Sequence, residues 1–311
     1  MTLQILLLIV GLVLILVGAD WLVDGSSAIA RKLKVSEFVI GLTIVGFGTS
    51  CPELVVSLAG SLNGVGDIAI GNVVGSNIFN TLLILGIVAA ISPITITSNN
   101  KRLDIPVTFA VTLFLIVLGL LGNSLSRIDG ILFLLVFAAY MYFSFTKGVD
   151  DDQEKHEEKE LTLAKSIVFV VLGLAGLIFG GELLVNNATA IARSLGVSEK
   201  FIAITLLAGG TSLPELVTCI VAASKNKMQL ALGNILGSNL FNILLILGIS
   251  SIVAPISFES INMVDISVML SSMLLVWASV FVGKKDTVDR FNGVTMLILF
   301  VFYYIWLFIK L

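Results

Sequence analysis

The chain has 311 residues, 57% hydrophobic and only 13% charged, with a mean hydropathy of +1.08 and a formal net charge of −3. Water-soluble domains carry about a quarter charged residues, so a soluble globular fold is excluded and a bilayer is the matching solvent. No basic patch interleaved with aromatics occurs, which sets nucleic-acid partners aside, and Cys51 and Cys219 sit inside apolar runs as packing residues, outside any disulfide or CxxC framework.

At about 20 apolar residues per crossing, ten spans are predicted: 3–24, 37–60, 67–92, 104–122, 127–146, 163–186, 199–223, 229–253, 263–282 and 290–309. Their length and even apolarity suit helices rather than barrel strands of alternating polarity, so the expected class is an all-α membrane protein. The first span is too long for a signal peptide and is expected to be retained. With these spans, fourteen of the eighteen Lys and Arg fall on the side reached after odd-numbered spans, leaving Arg127, Arg193, Lys200 and Lys310 on the other. The positive-inside rule then puts both termini outside and the acidic segment DDDQEKHEEKE in the cytoplasm. That segment, whose like charges repel and extend, reads as a solvated linker over 147–162, between halves at 1–146 and 163–311. His156, within it, has no second ligand nearby and makes a poor metal site.

Residues 36–93 align without a gap on 198–255 at a constant offset of 162, with 26 of 58 positions identical. Each half holds an odd number of spans, so the second enters the bilayer from the opposite side. The expectation is two inverted five-helix repeats, the arrangement of an alternating-access transporter.

The first shared segment is GTSCPELVVSL (Gly48 to Leu58) and GTSLPELVTCI (Gly210 to Ile220). Pro52 and Pro214 lack an N–H, so spans 2 and 7 are expected to break there and release carbonyls near Gly46 and Ala208. Glu53 is the only charged residue between Phe38 and Gly66, and Glu215 the only one between Phe201 and Ser224. An ionised carboxylate at mid-membrane costs several kcal/mol unless compensated. With no basic side chain in either segment, a bound cation or a proton is the natural compensator.

The second shared segment is GNVVGSNIFNTLLILG (Gly71 to Gly86) and GNILGSNLFNILLILG (Gly233 to Gly248). Ser76 with Asn80, and Ser238 with Asn242, share a helix face at i, i+4. Gly71 with Gly75, and Gly233 with Gly237, are small-xxx-small pairs that permit close helix approach. Adding the hydroxyls of Thr49, Ser50, Thr211 and Ser212 gives a donor set made only of hard oxygens, which suits Ca²⁺ or Na⁺ and disfavours soft transition metals. Ca²⁺ and Na⁺ drawing on the same carboxylates would exclude one another, the physical requirement for exchange.

At these residues the chain resembles the cation/Ca²⁺ exchanger superfamily, whose two repeats carry G-[ST]-S-x-P-E and G-N-x-x-G-S-N-x-x-[ND] elements, and it looks most like the prokaryotic sodium/calcium antiporters. The resemblance implies a Ca²⁺ site at Glu53 and Glu215 with the backbone carbonyls of Thr49 and Thr211. It also implies Na⁺ sites at Glu53, Glu215, Ser50, Ser76, Ser212, Ser238, Asn80 and Asn242. Potassium-dependent members have Asp where Asn242 stands, so K⁺-independent exchange is expected. Three Na⁺ per Ca²⁺ would make the cycle electrogenic, coupled to potential at about 2.3 kcal/mol per charge per 100 mV. Ca²⁺ and Na⁺ are then cargo, and no resident cofactor is expected. Two other readings stay open: a Ca²⁺/H⁺ antiporter using the same glutamates, and a passive cation channel. An enzyme is not, since the apolar segments hold no nucleophile–base pair.

Peripheral carboxylates have plainer readings. Glu37 and Glu199 follow Ser36 and Ser198 at helix starts and fit first-turn positions. Asp104 and Asp265 also lie at predicted helix starts, whereas Asp20, Asp24 and Glu182 lie near the ends of spans 1 and 6, whose glycine content makes them the natural moving pair.

Overall fold

The computed structural model of the chain describes residues 2–147, 161–198, 202, 206, 209–258 and 261–310. The acidic linker with His156, as well as Glu199, Lys200 and Ala208, lies outside the described residues.

The fold is almost wholly helical. Helix α1 spans Thr2–Leu33, and a bent pair follows, α2 (Glu37–Thr49) and α3 (Cys51–Leu62), meeting at 48°. Helices α4 (Gly66–Ile91), α5 (Asn100–Gly122) and α6 (Arg127–Lys147) complete the first half. The second contains α7 (Leu163–Ser194), α8 (Leu213–Ser224), α9 (Met228–Val253), α10 (Met263–Ser279) and α11 (Arg290–Lys310). Among the described residues seven helices are long and apolar enough to cross a membrane, eight when α2–α3 counts as one span, and α8 and α10 are shorter apolar helices. The chain is a multi-pass membrane protein.

Burial is graded from periphery to centre. Helices α4 and α9 are largely enclosed, whereas α1, α6, α7 and α11 turn most of their apolar side chains outward. In a lipid solvent that outward face costs nothing, because helices already satisfy their own backbone.

Helices α1 and α7 lie against each other along a stripe of small residues. A Cβ at Gly11 would stand 2.8 Å from the Gly180 carbonyl oxygen, at Gly18 2.7 Å from that of Gly173, and at Gly25 2.7 Å from that of Ser166. The order is reversed, so the helices are antiparallel, and the seven-residue spacing keeps each contact on one face. Such backbone-to-backbone approach is open only to residues without bulk.

Both helices outrun their predicted ends at 24 and 186, reaching Leu33 and Ser194. Past Asp24 the segment SSAIA is buried and holds the helix in place although hydropathy has fallen. Asp20 and Asp24 are consequently mid-helix, and both pair with Lys225, just beyond α8. Glu37 pairs with the buried Lys227 at 2.9 Å, while Ser36 caps α2 by accepting the Val39 N–H at 3.3 Å. Asp104 lies a turn inside α5, because a π-helical turn over Asn100–Asp104 precedes it. It is fully buried and accepts from Asn100 Nδ2 at 3.0 Å and Tyr140 OH at 2.8 Å.

Two small antiparallel ribbons stitch the halves together. Strand β1 (Ile94–Thr95), after α4, pairs with β4 (Thr287–Val288), before α11, and β2 (Ser124–Leu125), before α6, pairs with β3 (Ile256–Ser257), after α9. Each ribbon joins one half to the other in the same relation, so the repeat visible in the sequence is also present in the contacts.

Candidate ion site

The site forms at the bend between α2 and α3 in the first half and at the start of α8 in the second. Ser50 leaves helical geometry at φ −83°, ψ 6°, and Ser212 does the same at φ −89°, ψ 7°. The break thus falls two residues before Pro52 and Pro214, which occupy the first turns of α3 and α8, where a missing N–H is harmless. Each new helix then carries its glutamate in its first turn, Glu53 on α3 and Glu215 on α8, and the positive helix terminus favours a carboxylate there.

The spacing Ser50-x-x-Glu53 has the form of a capping box. The serine does not cap, however. Ser50 Oγ donates across to Glu215 Oε1 at 3.0 Å, and Ser212 Oγ donates to Glu53 Oε1 at 3.1 Å. Each helix break therefore supports the carboxylate of the other half. From the same half, Ser76 Oγ lies 3.5 Å from Glu53 Oε1, and Ser238 Oγ lies 3.4 Å from Glu215 Oε1. Ser212 and Ser76 also touch at 3.3 Å. Each member of this set has its counterpart 162 residues away.

Glu53 and Glu215 are 0% and 1% exposed, and no cationic side chain among the described residues pairs with either. Oε1 of each is engaged by serines, whereas Oε2 of each has no partner. Asn80 and Asn242 are likewise buried with Oδ1 unpartnered. Four enclosed oxygens without donors, two of them on carboxyl groups, would each cost of the order of 1–3 kcal/mol or more if nothing met them. The donor chemistry fits a hard cation of the Ca²⁺ or Na⁺ type.

The predicted residues are otherwise placed as follows. Thr49 is buried, and the single proton of its Oγ1 is shared between the Val45 carbonyl at 3.0 Å and Asn234 Oδ1 at 3.1 Å. Thr211 is partly buried directly before Ser212. The Gly46 carbonyl is not set free by the break: it accepts the Ser50 N–H at 3.2 Å and Ser238 Oγ at 3.5 Å, because the bend begins one turn later. Ala208, its counterpart, lies outside the described residues.

The glycine pairs also have their role. A Cβ at Gly233 would come within 2.8 Å of the Leu42 amide nitrogen, and one at Gly237 within 2.8 Å of the Leu42 Cα, so α9 packs directly on α2. For Gly71 and Gly75 the corresponding partners at the 162 offset, residues 200 and 204, lie outside the described residues.

Sequence reasoning missed a further layer of asparagines. Asn72 Nδ2 donates to the Glu53 carbonyl at 3.3 Å and to Ser57 Oγ at 3.0 Å, and Asn234 Nδ2 reaches Cys219 Sγ at 3.2 Å. Asn77, Asn239 and Thr81 are buried beside Asn80 and Asn242. The signal was present, since Asn72, Asn77 and their counterparts recur in both motif copies. Also unforeseen are π-helical turns over Phe79–Ile84 and Phe241–Ile246, which contain Asn80 and Asn242. Such turns release main-chain groups and are frequent at functional sites.

Comparison with known proteins agrees with this geometry. The family described as "Sodium/calcium exchanger protein" matches residues 3–146 and 165–309, one stretch in each half. The putative antiporter CaxA of Alkalimonas amylolytica is 39% identical over 305 residues, covering 95% of both chains. The sodium/calcium exchanger MaX1 of Methanosarcina acetivorans is 34% identical over 352 residues, covering 99% of both. Among solved structures, the sodium-calcium exchanger NCX_Mj superposes with a TM-score of 0.85 at 35% identity, over 96% of this chain and 97% of that one. A family match in each half, full-length relatives and a shared fold lead to one conclusion: this chain belongs to the sodium/calcium exchanger protein family.

Proposed function

We propose that the protein is a secondary active antiporter exchanging Na⁺ for Ca²⁺ across the cell membrane by alternating access. The observation that carries the reading is the set of buried, unpartnered oxygens Glu53 Oε2, Glu215 Oε2, Asn80 Oδ1 and Asn242 Oδ1. Two carboxylates balance one Ca²⁺ or two Na⁺. Sharing them makes occupancy mutually exclusive: one Ca²⁺ neutralises the pair, whereas a load of three Na⁺ leaves one positive charge on the carrier.

In this reading Ca²⁺ is held by Glu53 and Glu215 with main-chain oxygens at Thr49 and Thr211. Na⁺ uses the same carboxylates with Ser50, Ser212, Ser76, Ser238, Asn80 and Asn242, and a main-chain oxygen near Ala208 completes the set. The neutral amide of Asn242 supports K⁺-independent exchange. A stoichiometry of three Na⁺ per Ca²⁺ makes the cycle electrogenic. The protein carries out no covalent chemistry and needs no resident cofactor; ions and the bilayer are its partners.

The architecture we assign is ten spans in two inverted repeats, 1–146 and 163–311, joined by the cytoplasmic linker 147–162, with both termini extracytoplasmic. The antiparallel α1–α7 contact supports the inversion. Those two helices are the moving unit: their contact is a smooth, small-residue seam, and they face lipid rather than the ions. The site itself stays with α2, α3, α4, α8 and α9.

The test is radioactive Ca²⁺ uptake into liposomes loaded with Na⁺, comparing wild type with Glu53→Gln and Glu215→Gln. Uptake should follow the Na⁺ gradient, respond to membrane potential, ignore K⁺ and vanish in both variants. Uptake driven by a pH gradient without Na⁺ would select H⁺ exchange instead, and equal uptake in all three proteins would end the assignment.

A further inference from the structure

The neutral amides Asn80 and Asn242 serve a cation only if their oxygens, not their NH₂ groups, face the ions. An amide side chain has no intrinsic preference between the two orientations. Something else must decide it, and the surrounding hydrogen bonds can be followed to fixed points.

For Asn242 the fixed point is main chain. Asn77 Nδ2 donates to the Asn239 carbonyl at 3.2 Å, an acceptor that cannot reverse its role. Asn77 Oδ1 is thereby turned to Asn242, whose Nδ2 donates to it at 3.0 Å. Asn242 Oδ1 is left on the opposite side of the amide, buried and unpartnered.

For Asn80 the fixed point is a thioether. Thr81 Oγ1 donates to Met273 Sδ at 3.7 Å, an atom that only accepts. With its proton so committed, Thr81 Oγ1 accepts from Asn239 Nδ2 at 2.9 Å, and the same nitrogen lies 3.9 Å from Met273 Sδ. Asn239 Oδ1 then faces Asn80 Nδ2 at 3.3 Å, and again the Oδ1 of the outer amide is left buried without a donor.

Both chains of bonds cross between the halves: Asn77 acts on Asn242, and Asn239 acts on Asn80. All four side chains are at most 2% exposed, so no bulk water competes for these bonds.

We propose that Asn77 and Asn239 are positioning residues that lock the amides of Asn242 and Asn80 oxygen-first on the helix faces they share with Ser238 and Ser76. The inference rests on the cation-exchange reading above and deepens it. Without the lock, each outer amide rotates freely, and its NH₂ group meets the cation as often as its oxygen does. Because each lock is supplied by the opposite repeat, it also makes the two halves of the ion site dependent on each other.

The test is a double-mutant cycle in the full-length protein in liposomes, reading the Na⁺ and Ca²⁺ concentrations that half-saturate exchange. Asn77→Ala should weaken apparent ion affinity about tenfold, the effect of losing one orienting hydrogen bond. Asn242→Ala should weaken it at least as much, and adding Asn77→Ala to Asn242→Ala should cost nothing further. The second cycle, Asn239→Ala with Asn80→Ala, should behave alike and keeps the claim testable if one variant fails to fold. Ion-free thermal unfolding in detergent separates structure from positioning: a purely structural asparagine lowers the melting temperature equally in both backgrounds.

Equal losses of ion affinity from Asn77→Ala with and without Asn242 would overturn the proposal. Failure of the exchange reading shows separately, as wild-type protein without Na⁺-driven uptake. The stabilisation of each variant by added Na⁺ or Ca²⁺ then still reads the coupling.

Discussion

The two halves agree at the centre and differ at the rim. In the site, Ser50 supports Glu215 as Ser212 supports Glu53, and Ser76 stands to Glu53 as Ser238 does to Glu215. One helical turn past α3 and α8 the correspondence ends: Lys225 and Lys227 stand where the first half has Asn63 and Val65. Lys225 ties α1 through Asp20 and Asp24, and Lys227 ties Glu37, whereas the counterparts of Asp20 and Asp24 are Glu182 and Asn186. On the proposed exchange reading the two halves enclose one cation, and each must then present the same atoms. Away from the site, either half is free to acquire its own ion pairs.

The largest effects are expected at the centre of the molecule. Glu53→Gln or Glu215→Gln alone should abolish Na⁺-driven Ca²⁺ uptake, since the cation loses half of its compensating charge; retained uptake in one of them would make the halves unequal. The α1–α7 seam comes next. Gly18→Val or Gly173→Val places a side chain where a Cβ already stands 2.7 Å from a carbonyl oxygen, and should destabilise the protein by about 1–3 kcal/mol or more. Detergent-phase thermal unfolding reads it, and the same substitution at Gly181, where a Cβ meets nothing within 4 Å, is the control.

Smaller effects belong to the rim. Lys225→Ala removes two ion pairs from a side chain still 28% exposed, and exposed pairs contribute about 0–1 kcal/mol. Its expected signature is faster transport-coupled motion of α1 with little change in melting temperature. Unchanged rates would show that the pairs are incidental to movement. The smallest effect concerns the turn between α10 and α11, where a hydrogen bond from Lys101 holds the Asp286 carboxyl below the usual carboxylate range. A lowered folded value gives stability that is present at neutral pH and is lost as pH falls through the Asp range. Asp286→Asn should therefore flatten the acid limb of the stability profile slightly.

Much of this was legible in the sequence because hydropathy and self-similarity are local signals. The offset of 162 singled out Glu53 and Glu215, Ser50 and Ser212, and the asparagine-bearing faces as candidates, and Pro52 placed the bend between α2 and α3 to within two residues. What escaped was tertiary. The tail of α1 beyond Asp24 remains helical through packing and the pairing with Lys225, about 200 positions away, which no window of hydropathy contains. The π-helical turns at Asn80 and Asn242 arise in strongly apolar sequence with no Gly or Pro within them to mark them. The bond from Ser50 to Glu215 reverses a capping pattern that local rules would have closed within its own helix.

On the proposed reading the two halves build one site, not two. Equilibrium binding of radioactive Ca²⁺ to purified protein tests it directly. A single Ca²⁺ per chain, displaced by Na⁺ and lost completely on changing either Glu53 or Glu215 to Gln, is the predicted result. Two Ca²⁺ per chain, with one retained in each single variant, would contradict it.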